Sequence, residues 1–150
     1  MIDVQLKPAQ EDDLPFVKRC AELAYEMYLQ RIGKPPAPMV ADFPTALSQG
    51  ELELICADGK SAGFLVSQMR EDHLFVENVA VHPDFQNQGI AKTLFVILDQ
   101  RAAQNGLAAI ELYTNEKMTE NLGFYPKLGF VETERRSEAG FDRVYFRKTL

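Results

Sequence analysis

Several patterns that define large functional classes are missing from this chain of 150 residues. It has neither the three spaced glycines of a dinucleotide fingerprint nor the Gly-Lys-Ser/Thr of a P-loop, which argues against nicotinamide binding and nucleotide hydrolysis. Lysines and arginines form no run, so a nucleic-acid surface is not expected. No apolar stretch approaches the roughly 20 residues of a membrane span, and residues 1–8 lack the features of a signal peptide. We therefore expect no nucleic-acid partner and no membrane partner.

Cysteine and histidine are scarce, with two of each. Cys20 and Cys56 lie in a helix-like and a strand-like pattern, so we interpret both as buried free thiols, which favours a reducing, cytoplasmic compartment. His73 and His82 have no cysteine at metal-ligand spacing, and we expect no metal. The 16 basic and 22 acidic residues give a net charge of -6, which suits a cationic small molecule better than a polyanion.

The composition is that of an ordinary globular protein, 46% hydrophobic and 25% charged, and the length fits one domain, residues 1–150. Apolar spacing, with Gly, Pro and Asn at the breaks, predicts the order β α α β β β α β α β β. This order predicts an α/β mixed sheet with helices on both faces. The predicted strands are residues 2–6, 51–57, 61–69, 74–81, 108–113, 130–135 and 141–148, with hairpin turns at 58–60 and 137–140. The predicted helices begin near residues 12, 42, 89 and 119 and end near residues 31, 50, 104 and 125.

The most informative segment runs from His73 to Phe95. In it, an apolar strand leads through a short polar loop into a helix whose first turn contains Gly89 and Ala91. The N-terminus of a helix presents unpaired N–H groups and the positive end of its dipole, which together bind anions. Gly89 has no Cβ to hold a phosphate away from the backbone, and Ala91 keeps the next turn thin. We interpret this segment as a cradle for a pyrophosphate; the alternative is a strand–loop–helix connection that binds nothing.

Three runs of residues resemble one known family. They are Val79-Ala80-Val81-His82-Pro83, Gln86-Asn87-Gln88-Gly89-Ile90-Ala91 and Tyr125-Pro126-Lys127-Leu128-Gly129-Phe130. Together with the element order, they resemble the GNAT acetyltransferase superfamily, whose signature Gln/Arg-x-x-Gly-x-Gly/Ala corresponds here to Gln86, Gly89 and Ala91. The resemblance implies a single GNAT domain of the small bacterial type. Its sheet would have about seven mostly antiparallel strands, with a central parallel pair splayed for coenzyme A.

The resemblance implies an enzyme, an N-acetyltransferase that moves an acetyl group from acetyl-CoA to a primary amine of a small metabolite. Two alternatives stay open: a protein or peptide N-acetyltransferase, and a non-catalytic acyl-CoA sensor. The sequence does not distinguish acetyl from another acyl donor, such as propionyl or succinyl. Many relatives pair through sheet edges or C-terminal strands, which makes a homodimer plausible.

The same resemblance implies which residues bind the cofactor. Residues 74–81 and 108–113 would form the splayed pair, in which Val79 and Val81 offer main-chain groups to the pantetheine arm. Gln86 is uncharged where many relatives carry Arg, so backbone amides and the helix dipole would do most of the phosphate binding. The residues implied for cofactor binding are Val79, Ala80, Val81, Gln86, Asn87, Gln88, Gly89, Ile90, Ala91, Lys92, Asn115, Asn121 and Tyr125.

Acetyl transfer needs a neutral amine, a polarised carbonyl and a proton for the departing thiolate. By resemblance, the hydroxyl of Tyr125 would supply this proton, although Pro126 disfavours helical geometry there; the alternative is an aromatic core residue. Strand alternation places Glu77 on the same face as Val79, which makes it a candidate base acting through a water, or alternatively a surface acid. His82 precedes a proline at the strand end, and we expect a structural role for it.

Recognition of the acceptor is expected from the first helix and the proline-rich loop behind it, residues 34–39. Tyr25 and Tyr28 would supply aromatic rings for a cation, whereas Arg31 would favour an acceptor that carries a carboxylate. These two expectations conflict, so the sequence does not identify the acceptor.

Overall fold

The computed structural model describes residues 2–150, so the first residue of the predicted N-terminal segment and of the predicted domain lies outside it. The strands are Val4–Pro8 (β1), Leu52–Ala57 (β2), Lys60–Met69 (β3), His73–Val81 (β4), Ala109–Asn115 (β5), Val131–Glu138 (β6) and Phe141–Thr149 (β7). The α-helices are Leu14–Tyr25 (α1), Tyr28–Ile32 (α2), Phe43–Ser48 (α3), Ile90–Gln104 (α4) and Thr119–Lys127 (α5). Short 3-10 helices lie at Glu11–Asp13, Ala37–Val40 and Pro83–Phe85. Among the described residues, no helix has both the length and the apolar character needed to cross a bilayer.

The strands form one mixed sheet in the order β1-β2-β3-β4-β5-β7-β6. β4 and β5 are parallel, whereas β1 with β2, β2 with β3, β5 with β7 and β6 with β7 are antiparallel. Five consecutive residues of β3, 62–66, are buried, so both faces of the sheet are covered at this strand. The predicted fold class, an α/β fold with about seven mostly antiparallel strands and a central parallel pair, is confirmed.

The parallel pairing is short. Its register covers residues 73–76 of β4 and residues 109–112 of β5. β4 continues to Val81 and β5 to Asn115, so both strands extend beyond the paired stretch. The residues expected to meet the pantetheine arm, Val79 and Ala80 among them, lie in this extension of β4.

The chain divides into two compact units, of which the first contains the residues up to Ser67 together with Glu77–Leu94. Val17 on α1 is fully buried in it. Gly63 on β3 has no room for a side chain, because a Cβ there would lie 2.2 Å from the carbonyl oxygen of Ala80 on β4. The backbones of these two strands therefore approach each other at a point where only glycine fits.

The second unit contains Gln68–Val76 and Phe95–Leu150. Its core includes an aromatic cluster around the ring of Tyr125, with centroid distances from 5.4 to 5.8 Å. Edge-to-face pairs of this kind add about 0.5–1.5 kcal/mol each beyond the area they bury. The rings that surround Tyr125 belong to Phe95, Phe124, Phe130 and Phe146.

The first predicted helix is divided in two. α1 ends at Tyr25 and α2 begins at Tyr28, with a tightened turn between them in which the Leu29 N–H bonds to the Glu26 carbonyl at 3.2 Å. Tyr25 and Tyr28 are both buried, and residues three apart are best aligned in such a tighter turn. The prediction of one helix to residue 31 is therefore wrong, whereas the predicted stop at Gly33, with φ 85°, is confirmed.

Candidate active site

The segment between β4 and α4 begins with a capped turn. After β4 ends at Val81, the Nδ1 atom of His82 accepts the N–H of Asp84 at 3.1 Å and caps the short helix Pro83–Phe85. The ring of His82 also stacks on that of Phe16 at 6.1 Å. The structural role expected of His82 is confirmed.

Gly89 joins this turn to α4. The sequence predicts Gly89 in the first turn of this helix. The helix in fact begins at Ile90, so Gly89 immediately precedes it. Its φ of +78° lies in the left-handed region that favours glycine, and its carbonyl accepts the N–H and the hydroxyl of Thr93 at 3.1 Å each. A Cβ at this position would meet no atom of the described residues within 4 Å. Helix N–H donors therefore lie beside open space, as an anion site requires.

Two glutamine side chains form hydrogen bonds to the backbone of the segment between β4 and α4. Gln86 donates its side-chain amide to the Val81 carbonyl at 3.0 Å, and Gln88 donates to the Asp84 carbonyl at 3.5 Å. Asn87 has φ +63°, a conformation that Asn tolerates better than most residues. Side chains that the resemblance assigns to the cofactor thus hold the loop backbone in shape. In the loop and first helical turn, Gln86, Asn87, Gln88, Gly89 and Lys92 are exposed, Ala91 is half-buried and Ile90 is buried.

The end of β4 alternates between more exposed and buried residues. Glu77 is exposed and Val79 and Val81 are half-buried, whereas Asn78 and Ala80 are buried. This is the alternation that the sequence predicts, and it places the carboxylate of Glu77 on the same side of the strand as the two valines.

The two tyrosines expected to contact the acceptor are largely enclosed, at 8% exposure for Tyr25 and 6% for Tyr28. The Tyr25 hydroxyl donates to the Val79 carbonyl at 2.8 Å and lies 3.0 Å from Oδ1 of Asn78. The guanidinium of Arg31, itself exposed, lies 5.4 Å from the centre of the Tyr28 ring. Tyr25 therefore bonds to β4, and the Tyr28 ring already interacts with a cation of the protein itself.

Tyr125 lies in the last turn of α5 and is buried in the aromatic cluster, at 6% exposure. Pro126 follows it inside the helix, so the expectation that this proline would disfavour helical geometry at Tyr125 is wrong. Packing of the ring against four aromatic neighbours outweighs that local preference. The ring is held in one orientation, which suits both a core residue and a positioned acid.

The two asparagines assigned to the cofactor have partners at the end of β5 and in the connection to α5. Oδ1 of Asn115 accepts the N–H of Lys117 at 2.9 Å, and the amide of Asn121 donates to Oγ1 of Thr114 at 3.1 Å. Thr114 is buried, and its hydroxyl lies 3.4 Å from the sulfur of Met118. Both asparagines therefore shape the turn that leads into α5.

A charged cluster at the start of β4 and β5 gives no signal in the linear sequence. Nδ1 of His73 lies 2.6 Å from Oδ1 of Asp72 and 3.6 Å from Oε2 of Glu111, and Arg147 bonds to both carboxylates. The hydrogen bond with His73 is the main cause that lowers the pKa of the Asp72 carboxyl below its ordinary value. These three potential metal ligands, whose atoms lie within 4.8 Å of one another, thus form an ion-pair network with an arginine of the chain.

A family model described as the acetyltransferase (GNAT) family matches residues 17–130. The chain belongs to this family. The resemblance seen in three runs of its sequence is therefore confirmed. The matched residues include the end of β4, the glycine junction and all of α5.

Two curated relatives of this chain are named for different amines. It is 32% identical over 94 residues to the ribosomal protein bS18-alanine N-acetyltransferase of Escherichia coli K12, a match of 61% of this chain and 64% of that protein. The chain thus spans less than two thirds of that relative's length. It is 28% identical over 114 residues to an aminoglycoside N(6')-acetyltransferase type 1 of Salmonella typhimurium, or 69% of this chain and 79% of the relative.

Solved structures agree with the fold. The crystal structure of the ribosomal-protein-S18-alanine N-acetyltransferase from Escherichia coli has a TM-score of 0.75 at 22% identity, covering 98% of this chain and 94% of that one. The PaiA N-acetyltransferase from Thermoplasma acidophilum, solved in complex with coenzyme A, has a TM-score of 0.77 at 12% identity and covers 99% of both chains. At these identities the likeness shows the fold.

Proposed function

We propose that this acetyltransferase moves an acetyl group from acetyl-CoA to the primary amine of a small metabolite. The observation that carries the proposal is the junction at Gly89, where open space meets the N–H groups at the start of α4. A diphosphate fits this junction because adjacent backbone donors can bind several of its oxygens. The family match and the complex of the PaiA relative with coenzyme A support coenzyme A as the molecule that carries this diphosphate.

In this proposal the main chain does most of the cofactor binding. The N–H groups of residues 89–92 bind the phosphates, and Val79 and Val81 offer main-chain groups to the pantetheine arm. The carbonyls of both valines accept hydrogen bonds from side chains, of Tyr25 at 2.8 Å and of Gln86 at 3.0 Å. Because each of these carbonyls is held by a side chain, the backbone at the end of β4 is ordered before the cofactor binds.

Two side chains carry the proposed proton transfers. The amine nitrogen attacks the thioester carbonyl carbon, the C–S bond breaks, and the nitrogen loses a proton as the amide forms. Glu77, exposed on β4, accepts that proton through a water, and the hydroxyl of Tyr125 donates a proton to the departing sulfur. A thiol pKa near about 8.5 lets the thiolate leave partly unaided, so the acid contributes the lower end of the roughly 10²–10⁴-fold range.

A second candidate acceptor is the N-terminal amine of a protein. The 32% identity to an enzyme named for the alanine of ribosomal protein bS18 favours it. Both candidates use the same acetyl-CoA site and the same chemistry, so only the acceptor separates them.

An amine panel tests the proposal and separates the candidates. The purified protein and acetyl-CoA are mixed with spermidine, lysine, kanamycin A or a hexapeptide that begins with alanine, and the free thiol of coenzyme A is followed. Release with a small amine above the amine-free rate supports the proposal, whereas release with the hexapeptide alone selects the second candidate. Calorimetric binding of acetyl-CoA without transfer to any amine favours the sensor alternative. No binding at millimolar concentration would overturn the acetyl-CoA site.

Four expectations stay predictions alongside this function: a single domain over residues 1–150, a cytoplasmic location, a homodimer and a reaction that needs no metal. Light scattering measures the oligomer, and turnover measured with and without a chelator tests the need for a metal.

A further inference from the structure

Asn78 is one of two polar side chains that are buried within the described part of the chain, at 4% exposure. It lies on β4 between Glu77 and Val79, and its side chain bonds in two directions. Nδ2 donates to the Pro38 carbonyl at 3.0 Å, and Oδ1 accepts the Tyr25 hydroxyl at 3.0 Å. Asn78 therefore ties β4 to the end of α1 and to the proline-rich loop.

The orientation of the Asn78 amide follows from its partners. The Pro38 carbonyl can only accept a hydrogen bond, so it must face the NH2 group rather than Oδ1. Oδ1 then faces the Tyr25 hydroxyl, whose single proton is shared with the Val79 carbonyl at 2.8 Å. Loss of the amide nitrogen would remove a donor from the part-buried Pro38 carbonyl, and a carbonyl without its donor is costly to bury.

We propose that Asn78 is a positioning residue that holds residues 34–39, the acceptor loop, in the conformation that binds the amine. This inference rests on the proposed function. The three prolines of the loop restrict its backbone, so an anchor at Pro38 limits the positions that the rest of the loop can take. The same stretch of β4 carries Glu77 and Val79, so the anchor sets the position of the loop relative to residues proposed for the chemistry.

The anchor also gives Tyr25 a different role from the one expected. Its ring is buried and its hydroxyl bonds to Asn78 and Val79. Tyr25 therefore affects the acceptor through the position of the loop and of β4, and not by lining the acceptor site.

Two substitutions remove the two bonds one at a time. Asn78→Asp is nearly isosteric and still accepts the Tyr25 hydroxyl, but it has no N–H for the Pro38 carbonyl. Tyr25→Phe keeps the ring and leaves the bond to Pro38 in place, but removes the hydroxyl and with it the bonds to both Asn78 and the Val79 carbonyl. Should Asn78→Asp fail to fold, Asn78→Ala removes both bonds without adding a charge. Gly50→Ala is the control for lost stability, because residue 50 has φ +73° and lies outside this network.

Two measurements test the anchor. The first is amide hydrogen exchange of the acceptor loop in the ligand-free protein, read at Met39, whose N–H bonds to the Pro36 carbonyl at 3.0 Å. The second is steady-state kinetics with the amine that the panel identifies. For Asn78→Asp we expect faster exchange at Met39 and an amine KM raised about tenfold, as for one lost hydrogen bond. The kcat at saturating amine and the Kd for acetyl-CoA should stay within about threefold of the parent. In Tyr25→Phe the exchange at Met39 should change less than in Asn78→Asp.

Unchanged exchange and unchanged amine KM in Asn78→Asp would overturn the proposal. A loss shared equally by amine KM, kcat and acetyl-CoA affinity would also overturn it, because it indicates general destabilisation rather than positioning. Gly50→Ala should lose stability and keep the parent's amine KM. If the parent bound no acetyl-CoA, the proposed function would fail and the acceptor role of Asn78 with it, whatever the exchange at Met39 showed about the anchor.

Discussion

Replacement of Gly89 by alanine tests the proposed acetyl-CoA site directly. Gly89 has φ +78°, and a Cβ there would project into open space, so the folded protein bears only the backbone strain. A residue with a Cβ adopts this left-handed conformation at a cost of about 1–2 kcal/mol. For a domain of this size, a loss of 1 kcal/mol lowers Tm by roughly 2–4 °C. We therefore expect Gly89→Ala to fold, with a loss of stability of about 1–2 kcal/mol and a correspondingly lower Tm.

The expected effect on cofactor binding is larger and has a separate cause. The added methyl group would occupy the space where we propose that the diphosphate binds, and would keep it from at least one N–H of residues 89–92. A hydrogen bond to a charged group contributes about 1.5–3 kcal/mol, and each interval of about 1.4 kcal/mol is a factor of ten in affinity. The Kd for acetyl-CoA should therefore rise about 10- to 100-fold.

Gly50→Ala separates these two effects. Residue 50 has φ +73°, its Cβ would likewise meet nothing in the described chain within 4 Å, and it lies between α3 and β2. Calorimetric scans should show similar losses of Tm in the two variants, whereas isothermal titration should show weaker acetyl-CoA binding in Gly89→Ala alone. Equal Kd values for acetyl-CoA in the two variants would refute the reasoning, since a Cβ at residue 89 would then not meet the cofactor.

Three further predictions concern single side chains. Tyr125→Phe should lower turnover about 10- to 100-fold with little change in acetyl-CoA Kd, and unchanged single-turnover transfer would remove its assignment as the acid. Hydrogen bonds from the hydroxyl and N–H of Thr45 lower the pKa of the Asp42 carboxyl. The ionised carboxylate therefore stabilises the folded protein above its ordinary pKa of about 3.9, and this stabilisation is lost as pH falls through the lower pKa of the folded state. Parent and Asp42→Ala should differ in Tm at neutral pH and converge in strong acid; a constant gap would contradict this. Burial raises the pKa of Cys20 to about 12, so Ellman's reagent should label this thiol only after unfolding, and rapid labelling of the native protein would count against its burial.

Elements set by one or two residues were predicted well. The turn between β2 and β3 has φ 50° at Asp58 and 81° at Gly59, the conformation that Asp-Gly favours in a two-residue hairpin. The side chain of Asp42 accepts the N–H of Thr45 at 3.1 Å and caps α3, as predicted. In these cases the preference lies in the covalent structure of the residues themselves, so distant contacts are not needed to determine it.

Elements that depend on partners were predicted less well. A single helix ending near residue 31 would have included Met27, but this side chain is 51% exposed and lies in the tightened turn between α1 and α2. The last hairpin turns at Ala139 and Gly140, and β6 extends to Glu138 rather than ending at residue 135. β6 is polar and exposed, and its backbone bonds to β7 extend it as a strand over residues 136–138, which contain no apolar residue to indicate one.

The candidate site also contains some features that local sequence predicts and others that depend on distant partners. The turn, Gly89 and the start of α4 follow one another in the chain, so their order and their chemistry could be recognised from the sequence. The anchor at Asn78 joins residues 40 and 53 positions away, Pro38 and Tyr25, and no local pattern marks such a contact. A buried amide looks like any other asparagine until its partners are known.

By itself, the sequence determined the order of strands and helices, the glycine at the helix start and membership of the acetyltransferase family. Those features depend on neighbours in the chain, whose spacing is covalent. Only the tertiary structure decided that Tyr25 bonds to the strand instead of facing solvent, that Gln86 closes the loop, and that Tyr125 sits among aromatic rings. A polar or aromatic side chain takes its role from the groups that satisfy it, and folding brings those groups from distant parts of the chain.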